Sequence, residues 1–131
     1  MPCTLTDPQP ELTQSLEAIE GLRLSLGEPM ATHVTMGVGG PARWWIQVER
    51  REALAPLMAL LERHAVAWFI LGGGSNTIFT QAGFEGAVIS LGRAFREITS
   101  GPAPHQVTAG AAANLSAVMN FAKRAGLSGL E

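Results

Sequence analysis

Residues 66–77 read VAWFILGGGSNT, six apolar residues followed by Gly72, Gly73, Gly74 and then the polar Ser75, Asn76 and Thr77. An apolar run of this length is too short for a helix, and glycine closes it, so it predicts a buried strand over 66–71. Glycine loses more backbone entropy on folding than any other residue and offers no side chain to pack, so three in a row need a reason. Two readings of the loop are open at this point. It can be an ordinary strand-to-loop turn, or the missing Cβ atoms can let successive backbone N–H groups face inward as an anion nest, with Ser75 and Asn76 adding donors at the rim. A Walker loop is excluded, because it needs a lysine where Ser75 stands.

Working outward, Leu54, Leu57, Met58 and Leu61 recur at three- and four-residue spacing and predict a helix over 52–64. Pro56 disturbs it: proline is tolerated only in a first turn, so the helix either begins near Ala55 or is kinked there. ARWWIQVE at 42–49 has no helical stripe and reads as a strand. Strand, helix and strand over 42–74 make a βαβ unit, with 42–48 and 67–71 expected as neighbouring parallel strands under the helix. GVGGPA at 37–42 formally fits the dinucleotide fingerprint, but a strand follows where that fingerprint needs a helix, so a tight turn is expected there.

Towards the N-terminus, Leu12, Leu16, Ile19 and Leu22 predict an amphipathic helix within 11–24. Beyond the glycine loop the helical period disappears. GAVISL, FREITS and HQVTAG read as short strands, the last two a hairpin around GPAP. NLSAVMNFAKRAG at 114–126 reads as a helix with Asn114 as cap, Leu115, Val118, Met119 and Ala122 on one stripe, and Gly126 as stop. TAGAAAN at 108–114 also joins a strand to a helix, so two backbone-donor loops are placed to meet one pyrophosphate.

Composition narrows the function classes. The chain has 131 residues, a net charge of −2 and basic residues (Lys123 and eight arginines) that are scattered, which argues against a nucleic-acid footprint. No apolar run approaches the ~20 residues of a membrane span. The opening MPCTLTDPQPEL has neither a basic nor an apolar signal region, which predicts no secretory leader and a cytoplasmic location. Cys3 is the single cysteine, so an intrachain disulfide and a thiolate metal cage are excluded, and it reads as an unremarked terminal residue. His33, His64 and His105 have no ligand at helical or hairpin spacing, so no metal site is expected and the three read as surface or half-buried histidines.

The stretches ATHVTMGVGGPARWWI, WFILGGGSNTIFTQAGFEGAVISL and VTAGAAANLSAVMNFAKRAGLSGLE, in that order, resemble the N-terminal FAD-binding half of the UDP-N-acetylenolpyruvoylglucosamine reductase family, also called UDP-N-acetylmuramate dehydrogenase or MurB. Its fold is shared with vanillyl-alcohol oxidase and p-cresol methylhydroxylase. The resemblance implies an α+β fold, the N-terminal part of a flavin-binding domain of that type, with a βαβ unit followed by short strands and a helix. It implies an N-terminal helical extension over 1–29 and an FAD-binding domain over 30–131, incomplete at its C-terminus.

The implied chemistry is that of an FAD enzyme which takes hydride from NADPH and reduces an enolpyruvyl UDP-sugar to UDP-N-acetylmuramate in peptidoglycan synthesis. Carried onto this chain, Leu71, Gly72, Gly73, Gly74, Ser75 and Asn76 match the loop that holds the flavin pyrophosphate. Gly110, Ala111 and Ala112 match the second FAD loop, and Gly129 in LSGLE leads towards the flavin. A β-branched residue at Gly73 is expected to push that loop out of a positive φ and block the flavin. No histidine or cysteine adjoins either loop, which favours non-covalent FAD.

The chain departs from the family pattern at Val34, Thr35 and Met36, where Asn-Thr-Phe is usual, and at Ala112, where the second loop usually has glycine. By the same resemblance the substrate domain, the proton-donating serine and the acidic residue of the family lie beyond Glu131. No catalytic residue is therefore assigned, neither Glu97 nor His105, the UDP-sugar is expected to bind through that further domain, and the chain alone is expected to be inactive. Another FAD-linked oxidoreductase of the same fold, or a non-catalytic domain, are the alternative readings.

Overall fold

The computed structural model describes residue 7 and residues 9–130, so Cys3 and Glu131 lie outside the described residues. The chain divides into two compact units, 1–91 and 92–131.

The first unit contains helix α1 (Pro10–Glu17), strand β1 (Leu22–Pro29), strand β2 (Pro41–Val48), helix α2 (Leu54–Arg63), strand β3 (Trp68–Leu71) and strand β4 (Phe84–Leu91). The four strands form one sheet in the order β1-β2-β4-β3. β1 runs antiparallel to β2, whereas β4 is parallel to both β2 and β3.

β2 is largely buried because it is covered on both faces, by helix on one and by loops on the other. Successive side chains on a strand point to opposite sides. Trp44 points to the helical side, where its Nε1–H donates to Thr13 Oγ1 of α1 at 3.0 Å. α1 packs in turn on α2, whose Leu57 and Leu61 are fully buried. Trp45 joins the opposite cluster, with Met30, Val34, Leu71 and Val88, against which Phe79 and Phe84 pack. That face is covered by two loops, 30–40 and 72–83, rather than by a helix.

Those loops touch main chain to main chain. Met30 N–H donates to Gly40 O at 3.1 Å and Gly40 N–H to Thr80 O at 2.8 Å. A Cβ on Gly40 would collide with Gln81 O, and one on Gly83 with Pro41 O. Gly39 and Gly40 thus lie in the seam between two loops, which gives them a packing reason, whereas the tight turn falls just earlier, where Gly37 N–H donates to Val34 O at 3.1 Å, and no Cβ contact requires Gly37.

Three expectations need correction. The strands at 42–48 and 67–71 are parallel but are not neighbours, because β4 lies between them and pairs with each. A crossover helix requires only that its strands share a sheet and a direction, and the apolar Ala87, Val88 and Ile89 gain burial by taking the central place. Second, β3 is a sheet edge rather than a buried strand: Trp68, Phe69 and Ile70 are 45%, 40% and 43% exposed, and only Leu71 is buried. Third, the N-terminal helix ends at Glu17, and residues 22–29 of the expected helical extension form β1. Gly21, at φ +92°, turns the chain, and its carbonyl accepts from Glu49 N–H at 2.8 Å, which starts the antiparallel ladder.

The helix expected over 52–64 is observed as α2, with Pro56 in its first turn and a 3-10 turn at Arg51–Ala53 ahead of it. In the second unit, strands β5 (Ile98–Ser100) and β6 (Val107–Ala109) form the antiparallel hairpin expected around GPAP. Helix α3 (Leu115–Arg124) begins at Asn114, whose side chain accepts from Ser116 N–H at 2.8 Å, and stops before Gly126 at φ +69°. Its apolar stripe is mostly outside the core, with Leu115 69% exposed and Ala122 buried. No helix among the described residues is long and apolar enough to cross a membrane.

The Trp44–Thr13 bond lies in a dry region, so its loss is measurable. Thr13→Val keeps the volume but leaves the indole N–H without an acceptor, and urea unfolding is expected to show a loss of about 1–3 kcal/mol. Thr13→Ser should restore most of it, and a Val variant as stable as the parent would show that the bond contributes nothing.

Candidate functional site

The glycine loop follows β3 directly. Leu71, its first residue, points its side chain into the Trp45 cluster, so only its main chain faces the loop. Gly74 is buried and fully explained by the fold. Its φ is +71°, its carbonyl accepts from Thr35 N–H at 3.0 Å, and a Cβ there would strike the His33 carbonyl and come within 3.0 Å of Val34 Cα.

Gly72 and Gly73 differ from it on every count. Both are exposed, neither has a positive φ, and a Cβ on either would meet no protein atom within 4 Å. The expectation that a β-branched side chain at Gly73 acts by breaking a positive φ is therefore wrong. The backbone there is open to any L-residue, and a side chain would instead fill the space in front of the loop. Neither packing nor conformation of this chain requires glycine at 72 or 73.

The donors of the loop are unengaged. None of the amides from Gly72 to Asn76 donates to a backbone carbonyl among the described residues, and Ser75 and Asn76 are exposed. A run of main-chain N–H groups with no Cβ in front of two of them fits an anion such as a pyrophosphate, which accepts several hydrogen bonds without needing a cationic side chain.

The second loop, in the other unit, is built differently. Gly110 is required by packing, because a Cβ would run into the carbonyl of Phe95. Gly110 N–H donates to Glu97 O at 2.8 Å and Ala112 N–H to Phe95 O at 2.9 Å, so these two amides tie the loop to the 95–97 segment. Ala111 N–H is not among those bonds. Ala112, standing where the family usually has glycine, has no positive φ here. Gly129 is exposed at φ +103°, a conformation that favours glycine. No group of three or more His, Cys, Asp or Glu side chains lies together among the described residues.

The residues that sequence reasoning passed over are those behind the loop. Thr35 was notable only as a departure from a family pattern and His33 only as an isolated histidine, yet both contact Gly74 through their main chains. Main-chain contacts between loops distant in sequence leave no side-chain pattern to read.

A family model described as an FAD binding domain matches residues 42–130, and the chain belongs to that family. It is 38% identical over 104 residues to the UDP-N-acetylenolpyruvoylglucosamine reductase of Heliobacterium modesticaldum, covering 79% of this chain and 32% of that protein. It is 31% identical over 121 residues to the protein of the same name from Bacillus subtilis, covering 92% and 39%. Among solved structures, the crystal structure of UDP-N-acetylenolpyruvylglucosamine reductase (MurB) from Thermus caldophilus matches with a TM-score of 0.62 at 31% identity, covering 83% of this chain and 36% of that one. The chain thus spans about a third of the length of the curated relatives it matches.

The contrast within the loop predicts opposite stability effects. Gly74→Ala should destabilise by about 1–3 kcal/mol through backbone strain and overlap with His33. Gly72→Ala and Gly73→Ala should leave unfolding midpoints unchanged or raise stability by up to about 1 kcal/mol, since alanine restricts the unfolded chain. A loss at 72 or 73 equal to that at 74 would reveal a structural need for those glycines.

Proposed function

We propose that this chain is the FAD-binding part of an NADPH-dependent UDP-N-acetylenolpyruvoylglucosamine reductase, with Gly72–Asn76 holding the flavin pyrophosphate non-covalently. The observation that carries this is the pair Gly72 and Gly73, glycines that the fold does not require, set in a run of unengaged amides. Family membership and the names of the similar proteins support the same reading.

When bound, FAD supplies the hydride chemistry, here from NADPH to the enolpyruvyl ether of a UDP-sugar to give UDP-N-acetylmuramate for peptidoglycan. This chain's residues bind and orient. The amides of Gly72, Gly73 and Gly74 face phosphate oxygens, the side chains of Ser75 and Asn76 add donors at the rim, and buried Leu71 anchors the loop to the sheet. The Gly110–Ala112 loop and Gly129 are assigned to the cofactor as well, Ala111 offering the amide that the 95–97 segment does not use. No residue of these 131 is assigned to catalysis. The UDP-sugar and the proton donor belong to the two thirds of the relatives' length that the chain does not span, and the reaction is placed in the cytoplasm.

Titration with FAD, followed by flavin fluorescence and with circular dichroism alongside, tests the loop. Gly73→Val places a branched side chain where the pyrophosphate would lie. Loss of two charge-assisted hydrogen bonds, roughly 1.5–3 kcal/mol each, should weaken FAD by about two orders of magnitude or more with the fold intact. Unchanged affinity in a folded variant would reduce the loop to a structural turn. In a separate assay, a polypeptide of these 131 residues given FAD, NADPH and the enolpyruvyl UDP-sugar should show no turnover above free flavin. Turnover clearly above that background would place the reaction chemistry in this chain.

A further inference from the structure

A histidine behind the glycine loop is held through its Nε2, its ring face and its main chain. His33 follows the 3-10 turn Met30–Thr32. Its Nε2 lies 2.9 Å from Glu28 Oε1 on β1, and since a carboxylate accepts, the Nε2–H donates. Its ring stacks on Trp45 of β2 at a centroid distance of 4.1 Å and an interplanar angle of 27°. Its carbonyl oxygen occupies the space a Cβ of Gly74 would need, and two residues on, Thr35 N–H holds the Gly74 carbonyl at 3.0 Å. The ring is thus tied to two strands while the main chain of the same turn abuts and bonds the glycine loop.

We infer that His33 is a positioning residue for the cofactor loop: its Glu28 bond and Trp45 stack fix the 33–35 turn, which fixes the Gly74 peptide and with it the direction of the Gly72–Asn76 amides. The inference rests on the proposed pyrophosphate role of that loop. Its physical basis is the small number of backbone bonds that restrain the loop among the described residues. None of the amides from Gly72 to Asn76 is bonded to a backbone carbonyl among the described residues, so the Thr35–Gly74 bond and the close approach of His33 O tie the middle of the loop to the 33–35 turn. Donors that must converge on one anion lose affinity when their support loosens, even though no contact to the ligand is removed. His33 touches no ligand in this scheme and is not a catalytic residue.

The test uses His33→Ala and His33→Gln. Glutamine carries its amide nitrogen about as far from Cβ as Nε2 of histidine, so it can donate to Glu28 again and lay a flat group on Trp45. In the flavin-free protein, 15N relaxation should show the amides of Gly72–Asn76 becoming more mobile in His33→Ala and recovering in His33→Gln. FAD affinity should fall about tenfold in the alanine variant, the equivalent of one hydrogen bond to a charged group, and return in the glutamine variant. Loop mobility unchanged by His33→Ala overturns the inference. So does an affinity loss that glutamine does not restore and that follows the drop in melting temperature, because that pattern belongs to general destabilisation. If Gly73→Val leaves FAD affinity intact, the pyrophosphate reading alone has failed, and the relaxation data still decide whether His33 orders the loop.

Discussion

Two stretches of main chain, 30–41 and 72–83, lie against each other so closely that Gly39, Gly40 and Gly83 have no room for a Cβ, and the cover over the Trp45 face depends on that approach. Gly40 and Gly83 remove the Cβ atoms that would strike Gln81 O and Pro41 O, and the Gly40–Thr80 bond closes the contact. The two loops then cover Trp45, Val88 and Leu71 on the sheet face away from α1. A close-packed interior tolerates few voids. Loops can serve as a cover where their main chains bond one another, as Gly40 and Thr80 do here, and the amides of Gly72–Asn76 stand outside that contact.

This arrangement separates two uses of glycine within a few residues. At Gly40, Gly74 and Gly83 the missing side chain lets the chain approach itself, and the benefit is folding. At Gly72 and Gly73 nothing in the chain approaches, so the benefit is sought outside it. The GGG of the sequence therefore has two meanings, one inward and two outward, and composition cannot tell them apart. The direction of each missing Cβ can.

Local chemistry was legible in the sequence where it determines structure locally. Pro56 marked the first turn of α2, Asn114 and Gly126 bounded α3, and GPAP marked the β5–β6 hairpin. β1 escaped because Leu22 extends the helical spacing of Leu12, Leu16 and Ile19, although Leu22, Leu24 and Leu26 also alternate as a strand would. The place of β4 between β2 and β3 is a long-range choice that no local pattern encodes. The exposure of β3 was hidden for a similar reason, since WFIL looks the same at an edge as in a core. At the site, the glycine loop announced itself, whereas the turn at His33 that supports it works through carbonyls and amides common to every residue.

The two edges of the sheet are finished differently. β1 carries Pro29, Gly27 at φ +64° and the charges of Arg23 and Glu28, which interrupt a continuous row of strand donors and discourage a further partner. β3 carries none of these, only Trp68, Phe69 and Ile70 half in solvent beside its unpaired backbone. A bare strand of this kind acts as a template for another strand. With a net charge of only −2 to keep molecules apart, a lysine set among Trp68, Phe69 and Ile70 would oppose strand addition at this rim directly.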